Sequence, residues 1–395
     1  MKIIIIGSGI IGLTIAWELA QSKNNIVIID KEKNVGVHAS GRNSGVLHSG
    51  IYYPKETLKA KFCADGKPLF REFCKKYNIP LDQCGKVLVT KSEKECESLS
   101  LLEKRAKENQ IQVSWLDEAQ LKEKDPLAKT VRNALWVPET AVFDPKKVVS
   151  ALQHQLSEQN NVKILMGTSF VGKVSENTLK TTNGELKADI IINAAGGYAD
   201  KIAHEFGVAK NLHLIPFKGV YKKLKPSVAK KMYHHIYPVP DLENPFLGVH
   251  FTKSINGDVY AGPTAIPAFG AENYKIFEKL SIDSFRILAK DATLFLKNKK
   301  FRRVALTEPK RYIHHYFYQE AKQLVNSLAS SDLVATDKIG IRPQLVNWDT
   351  KELMMDFNIQ AKDNHIHILN AISPAFTCCF AFAKYICKEY LNQLN

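Results

Sequence analysis

The chain is expected to be an α/β protein, in which a mostly parallel sheet assembled from separated segments is joined to a mostly antiparallel sheet backed by helices. Three observations predict this. An apolar strand at Lys2–Ile6 runs into Gly7-Ser8-Gly9-Ile10-Ile11-Gly12 and a helical stretch, and a second strand, Ile26–Ile29, ends in Asp30. Far downstream, Ala188–Gly197 and His367–Thr377 each read as a buried strand running into a turn. Between them lie short β-rich stretches and the hairpin signal Asn256-Gly257.

Taken in order, the consecutive isoleucines Ile3–Ile6 suit a strand buried on both faces. Gly7 permits a tight turn, Gly9 lets backbone approach a pyrophosphate, and Gly12 lets the helix from Leu13 to Ala20 pack on the strand. Ile10 and Ile11 sit where that helix begins, and a helix N-terminus stabilises phosphate charge. Asp30 stands 18 positions after Gly12, placed to accept a hydrogen bond from a ribose hydroxyl, with Lys31 beside it. An acid there favours FAD or NAD over NADP.

The following residues favour FAD. His38–Gly45 is a small, polar, glycine-punctuated loop, unlike the next crossover of an NAD domain. It resembles the loop beneath the flavin in the D-amino-acid-oxidase-like superfamily. The resemblance implies FAD contacts from Arg42, Asn43, Ser44, Gly45, Val46 and His48. It also implies contacts from Val171, from Ala195 and Gly196, and from Pro374, Ala375, Phe376 and Thr377, where a last helix points free N–H groups at the ring. A Rossmann-like FAD-binding domain is therefore expected from residues 1–80, 145–215 and 335–395. A substrate-binding domain of antiparallel strands is expected from 81–144 and 216–334. Its strands are Gly85–Thr90, Leu135–Phe143, Pro216–Leu224, Leu247–Thr252 and Asp258–Gly262, with helices near 93–109 and 275–297.

The chain as a whole resembles the L-2-hydroxyglutarate dehydrogenase and oxidase family. The resemblance rests on Val37-His38, Arg42–Tyr53, Leu58–Lys61, Gln83–Lys86, Ile215–Gly219, Ile236–Asp241, Pro245–Thr252 and Gly262-Pro263. Arg42 stands where many members carry His, and Phe376 and Cys378-Cys379 replace smaller or hydroxylated residues. The resemblance implies hydride transfer from C2 of L-2-hydroxyglutarate to flavin N5, giving 2-oxoglutarate, with electrons passing to a quinone or to oxygen. The alternative is a sister flavoenzyme acting on glycerol 3-phosphate, an amino acid or another 2-hydroxy acid; the Pro238–His250 stretch argues against it. The chemistry needs a base for the hydroxyl proton, and His48 and His250 are the candidates. It also needs anchors for two carboxylates. Arg342, in Gly340-Ile341-Arg342-Pro343, which resembles the superfamily's segment reaching the flavin edge and so is also an expected FAD contact, and Lys218 come first, with Tyr52, Tyr53, Tyr237 and Tyr260 as donors from the walls.

Composition bounds the rest. At 395 residues the chain exceeds one ordinary core, and 45% hydrophobic with 24% charged residues excludes disordered, collagen-like and multi-span membrane classes. The apolar N-terminus is broken by glycines and continues as an amphipathic helix, so a signal peptide is not expected. Seven cysteines with no C-x-x-C suit neither a zinc site nor a disulfide framework, and no histidine–carboxylate spacing suggests a metal. A cytoplasmic protein is the expectation. The net charge of +15 is spread as single and paired lysines, without a nucleic-acid-binding module. It would suit peripheral attachment to an anionic inner membrane face. The C-terminal helix from about Pro374 to Leu394, with Phe376, Phe380, Phe382, Ile386, Lys384 and Lys388, offers lipid contact, although core packing explains most of it. Oligomeric state is not legible.

Overall fold

The computed structural model describes residues 1–241, 246–275 and 282–391; Pro245, the start of the expected 275–297 helix and the end of the expected C-terminal one lie outside the described residues. The isoleucine strand Lys2–Ile6 is at the centre of a six-stranded sheet. The strand order is Asn358–Lys362, His365–Asn370, Ile190–Asn193, Lys2–Ile6, Asn25–Asp30, Val162–Met166, parallel except for the first pair. Ile3, Ile4 and Ile5 have no solvent exposure, as a strand covered on both faces requires. Helix Ile10–Ala20 begins three residues earlier than expected, straight after Gly9. A Cβ on Gly12 would lie 2.0 Å from the Gly7 carbonyl oxygen, so this glycine sets the approach of helix to turn. Gly7 itself has φ +111°.

Helices Leu58–Lys76 and Ala375–Ile386 pack together against this sheet. They cross closely, because a Cβ on Gly66 would lie 2.3 Å from the Thr377 carbonyl oxygen. Phe62, Phe357 and Phe382 fill the junction, their ring centroids 4.9–5.5 Å apart. The apolar residues of the last helix are therefore core: Phe376, Phe380, Phe382 and Ile386 are all buried. This is the core packing expected for most of the helix, and it leaves these four side chains no contact with lipid.

The second sheet has ten strands among the described residues and is antiparallel apart from the pairing of Lys86–Val89 with His235–Pro238. Its spine is the pairing of Leu212–Leu224 with Leu333–Asn347, from Leu212 opposite Asn347 to Leu224 opposite Leu333, with the register shifting at a bulge between Val220 and Lys222. The boundaries expected at 215/216 and 335 fall inside these two continuous strands. The expected strand Leu135–Phe143 is two, Asn133–Val137 and Ala141–Phe143, split at Pro138-Glu139-Thr140. Proline cannot donate to a ladder there. Asn256-Gly257 does mark a hairpin, but the connection is longer than two residues. It is closed by a Ser254 N–H bond to the Asp258 carbonyl (2.8 Å), with Gly257 at φ +86°.

Candidate active site

A cavity of about 560 Å³ receives residues from both sheets. On one side are Ile10 and Ile11 at the helix N-terminus, the loop from Ala39 to Ser44, Ala194 and Gly196, and Ala371–Phe376 except Pro374. On the other are His48, Tyr52, Tyr53, Lys59, Tyr221, Tyr237, His250 and Arg342.

The first side is built as a cradle for a phosphate-bearing cofactor. Gly9 precedes the helix with no side-chain cap, and a Cβ on it would meet only Ser40 Oγ, at 3.2 Å. Ser40 Oγ accepts the Ile10 N–H (2.9 Å), drawing the loop over the helix start. Arg42, whose guanidinium lies 3.8 Å from the centroid of the Tyr274 ring, lines the cavity with its buried Nε unpartnered. A cation and free N–H groups facing one space suit a pyrophosphate. Asp30 accepts from Ser8 N and Ser8 Oγ (both 2.7 Å) and from Glu32 N (2.9 Å), which ties the glycine turn to the second strand. Its carboxylate keeps acceptor capacity for a ribose hydroxyl.

Other expected cofactor residues serve as scaffold for the cavity wall. Asn43 Oδ1 accepts the Gly45 N–H (2.9 Å), and Val46 pairs with Val142. Thr377 Oγ1 accepts the His48 N–H (3.0 Å), joining the last helix to the catalytic candidate. Ala195 N–H binds Asn193 Oδ1 (3.2 Å), and Pro374 caps the helix that starts at Ala375. Lys31 instead places its ammonium on Glu32, Glu272 and His38. Those three side chains converge as metal ligands would, but the protein's own cation is seated on them. Val171 is 55% exposed on the strand Phe170–Ser175 and does not line the cavity.

The second side concentrates positive charge. Arg342 and Lys59 stand with Tyr53 at one end: Lys59 Nζ is 5.6 Å from the centroid of the Tyr53 ring, and burial with Arg342 nearby lowers Lys59 to about 8. Burial also lowers Arg342, opposed by Tyr221 and Tyr53. Elsewhere Lys86 is 1% exposed, its ammonium 4.5 Å from the Tyr52 ring centroid and 5.2 Å from that of Tyr237. Burial lowers it to about 7. The Tyr52 hydroxyl is buried without a partner. Lys86 and Arg342 both depress His48 and His250; Arg342 lines the cavity, whereas Lys86 does not and stands behind the Tyr52 and Tyr237 rings, which do. Burial, then Lys86, His250 and Arg342, drives His48 down to about 3. Burial, then Lys86 and Arg342, takes His250 down to about 4, opposed by its bond to Gly248. His250 Nδ1 lies 2.7 Å from the Gly248 carbonyl, which can only accept. Nδ1 therefore carries the proton, and Nε2 keeps a free lone pair.

Two of the expected anchors lie elsewhere. Lys218 is buried, donating to Asn273 Oδ1 (3.1 Å) and the Lys275 carbonyl (3.3 Å), and is absent from the cavity lining. Tyr260 donates to Asp258 Oδ2 (3.3 Å) beside Lys338, also outside the lining. Lys218 sits on a strand whose alternation turns it from the cavity that its neighbours Phe217 and Gly219 do line; around Tyr260, neither Val259 nor Ala261 lines it either. The residues missed are Lys59, Lys86 and Tyr221. Lys86 had a signal: a lysine leading the apolar run Val87-Leu88-Val89 on a strand buried at every position.

Glycine turn, phosphate cradle and a cationic chamber with two neutral histidines define a flavin-type oxidoreductase site. A model of the FAD-dependent oxidoreductase family named DAO matches residues 2–389, and the chain belongs to that family, with FAD as its cofactor. Among its relatives, L-2-hydroxyglutarate dehydrogenase of Indibacter alkaliphilus is 34% identical over 410 residues, covering 99% of each chain. The mitochondrial L-2-hydroxyglutarate dehydrogenase of Homo sapiens is 30% identical, covering 100% of this chain and 89% of that one. The fold is shared with the FAD-bound L-alpha-glycerophosphate oxidase from Mycoplasma pneumoniae, at a TM-score of 0.77 and 23% identity, covering 100% of this chain and 94% of that one.

Proposed function

We propose that the enzyme oxidises L-2-hydroxyglutarate to 2-oxoglutarate. The observation that carries this reading is the cationic charge gathered around His48 and His250 at two poles: Arg342 and Lys59 on the cavity wall, and Lys86 behind the Tyr52 and Tyr237 rings that line it. A five-carbon dicarboxylate has one charge for each pole, and cations buried in excess of the one nearby carboxylate, Asp356, favour an anionic ligand. Residues 1–80, 145–215 and 335–395 hold FAD, and 81–144 and 216–334 shape the substrate side, with the two long paired strands shared.

FAD, when bound, supplies the acceptor for the hydride that leaves C2. The protein's part is to bind, orient and deprotonate. The poles fix both carboxylates and so fix which face of C2 is presented. His250 Nε2 takes the hydroxyl proton as C2–O becomes a carbonyl; His48 is the second candidate for this role. Both imidazoles are neutral at neutral pH, the form a base requires. The free N–H groups of the last helix face the cofactor side, where reduction would build negative charge, and Arg42 would face the pyrophosphate. The chain's similarity to the L-2-hydroxyglutarate dehydrogenases of Indibacter alkaliphilus and Homo sapiens supports this reading. The electron acceptor is proposed to be a membrane quinone in preference to oxygen, reached by peripheral attachment; among the described residues no helix is long and apolar enough to cross a membrane. Anaerobic mixing with L-2-hydroxyglutarate tests the activity: bleaching of the flavin with formation of 2-oxoglutarate is expected, and a flavin that stays oxidised refutes it.

A further inference from the structure

Helix Ile282–Lys297 turns its apolar stripe outward. Phe285, Leu288, Ala289, Ala292 and Leu296 recur at i, i+3, i+4, i+7 and i+11, the spacing of one helical face, and every one is exposed. Phe285 and Leu296 are 74% and 72% exposed, and Ile282, at the helix start, is 76% exposed. The inward side carries Ser284, Leu294 and the partly buried Asp291. This inverts the arrangement of an ordinary surface helix, whose apolar stripe covers the core. An apolar face of this kind on a folded protein marks a contact surface.

The surrounding charge decides what the contact is. Between residues 282 and 316 the exposed charged side chains are Arg286, Lys297, Lys299, Lys300, Arg302, Arg303 and Lys310. Of the acids in that stretch, Asp291 and Glu308 are partly or wholly buried and Asp283 is tied to Lys201 and Arg286; Arg303 pairs with Asp241, so the positive rim rests on Lys297, Lys299 and Lys300. Helix Lys299–Thr307 presents most of these cations and is itself anchored inward by Phe301 and Val304. A second copy of the chain would set this cationic rim against itself. Anionic headgroups would neutralise it while the apolar stripe enters the acyl boundary.

We propose that the segment from Ile282 to Thr307 docks the enzyme on an anionic lipid surface, with Phe285 and Leu296 inserted and Lys297, Lys299 and Lys300 at headgroup level. The proposal rests on the peripheral-membrane reading above and gives it a surface, in place of the C-terminal helix, which is buried. Sedimentation of the FAD-loaded enzyme with vesicles of phosphatidylglycerol and phosphatidylcholine, against phosphatidylcholine alone, tests it. Two variants are compared, Phe285→Ser with Leu296→Ser, and Lys297→Glu with Lys300→Glu. The wild type should pellet with anionic vesicles at low salt, and each variant should partition roughly tenfold less. Flavin content and turnover with a soluble dye should stay at wild-type values in both. A wild type that remains in the supernatant with both vesicles overturns the proposal. Binding that neither variant weakens overturns this surface while leaving peripheral attachment standing. A dimer seen by ultracentrifugation, lost in the Phe285 variant and unaccompanied by vesicle binding, overturns it in favour of a second copy.

Discussion

Replacing Lys86 with Met keeps the length and apolar stem of the side chain and removes its charge, which isolates the pole opposite Arg342. Burial moves this ammonium from 10.5 to about 7. That shift corresponds to about 5 kcal/mol by which the empty site disfavours the charged form. A substrate carboxylate that supplies the missing counter-ion can recover at most that amount. A buried charge-assisted contact returns about 1.5–3 kcal/mol. Lys86→Met should therefore lower kcat/KM for L-2-hydroxyglutarate by roughly 10–150-fold, mostly through KM. For L-lactate, which lacks the second carboxylate, the loss should be small. The pH dependence follows from the sign of the shift. The cation is present below about 7 and is lost as pH rises through that value, so wild-type kcat/KM should fall there and the variant's should not. Steady-state kinetics with a dye acceptor from pH 5 to 9 on both substrates measures all of this. Equal losses on the two acids, or an alkaline limb near 7 that survives in the variant, would refute the reasoning.

Other outcomes follow from the same geometry. His250→Ala should slow flavin reduction by ~10²–10⁴-fold while leaving the flavin bound, and stopped-flow absorbance reads it directly; a comparable loss in His48→Ala with wild-type rates in His250→Ala would exchange the two roles. Gly9→Val should fold yet lose FAD, since its Cβ meets only Ser40 Oγ, whereas Gly12→Ala should fail to fold against the Gly7 carbonyl; flavin absorbance and circular dichroism separate the two. His48 and His250 are held near 3 and 4 in the folded protein, against ~6.5 unfolded, so the unfolded chain gains protons first as pH falls. Their contribution is intact above about 6.5 and is lost on the way down to about 4, about 3 kcal/mol for His250 alone. Tm should fall across that window, and a flat Tm there would contradict the burial.

The cofactor side of the fold was legible because its signals are local. Ile3–Ile6, the three glycines and Asp30 lie within thirty residues, and each has one structural solution. The substrate side depends on which face of a strand meets the cavity, and a one-residue change of face reverses the reading. Lys218 sits on a strand that turns it away and Tyr260 on a stretch that does not reach the cavity, while Lys86 leads a strand buried throughout and lies behind the wall. The split at Pro138 carried a local mark that an unbroken strand ignored. The outward stripe of Ile282–Lys297 could not have been found from the sequence, since its periodicity is the same whether the apolar face covers a core or meets lipid.

The central claim is stereospecific oxidation of a dicarboxylate held between two cationic poles. Its most direct measurement is anaerobic stopped-flow of the FAD-loaded enzyme against L- and D-2-hydroxyglutarate, following flavin absorbance and assaying 2-oxoglutarate. The account predicts rapid bleaching and stoichiometric 2-oxoglutarate with the L form and an oxidised flavin with the D form. Equal bleaching by both, or none by the L form, would contradict it.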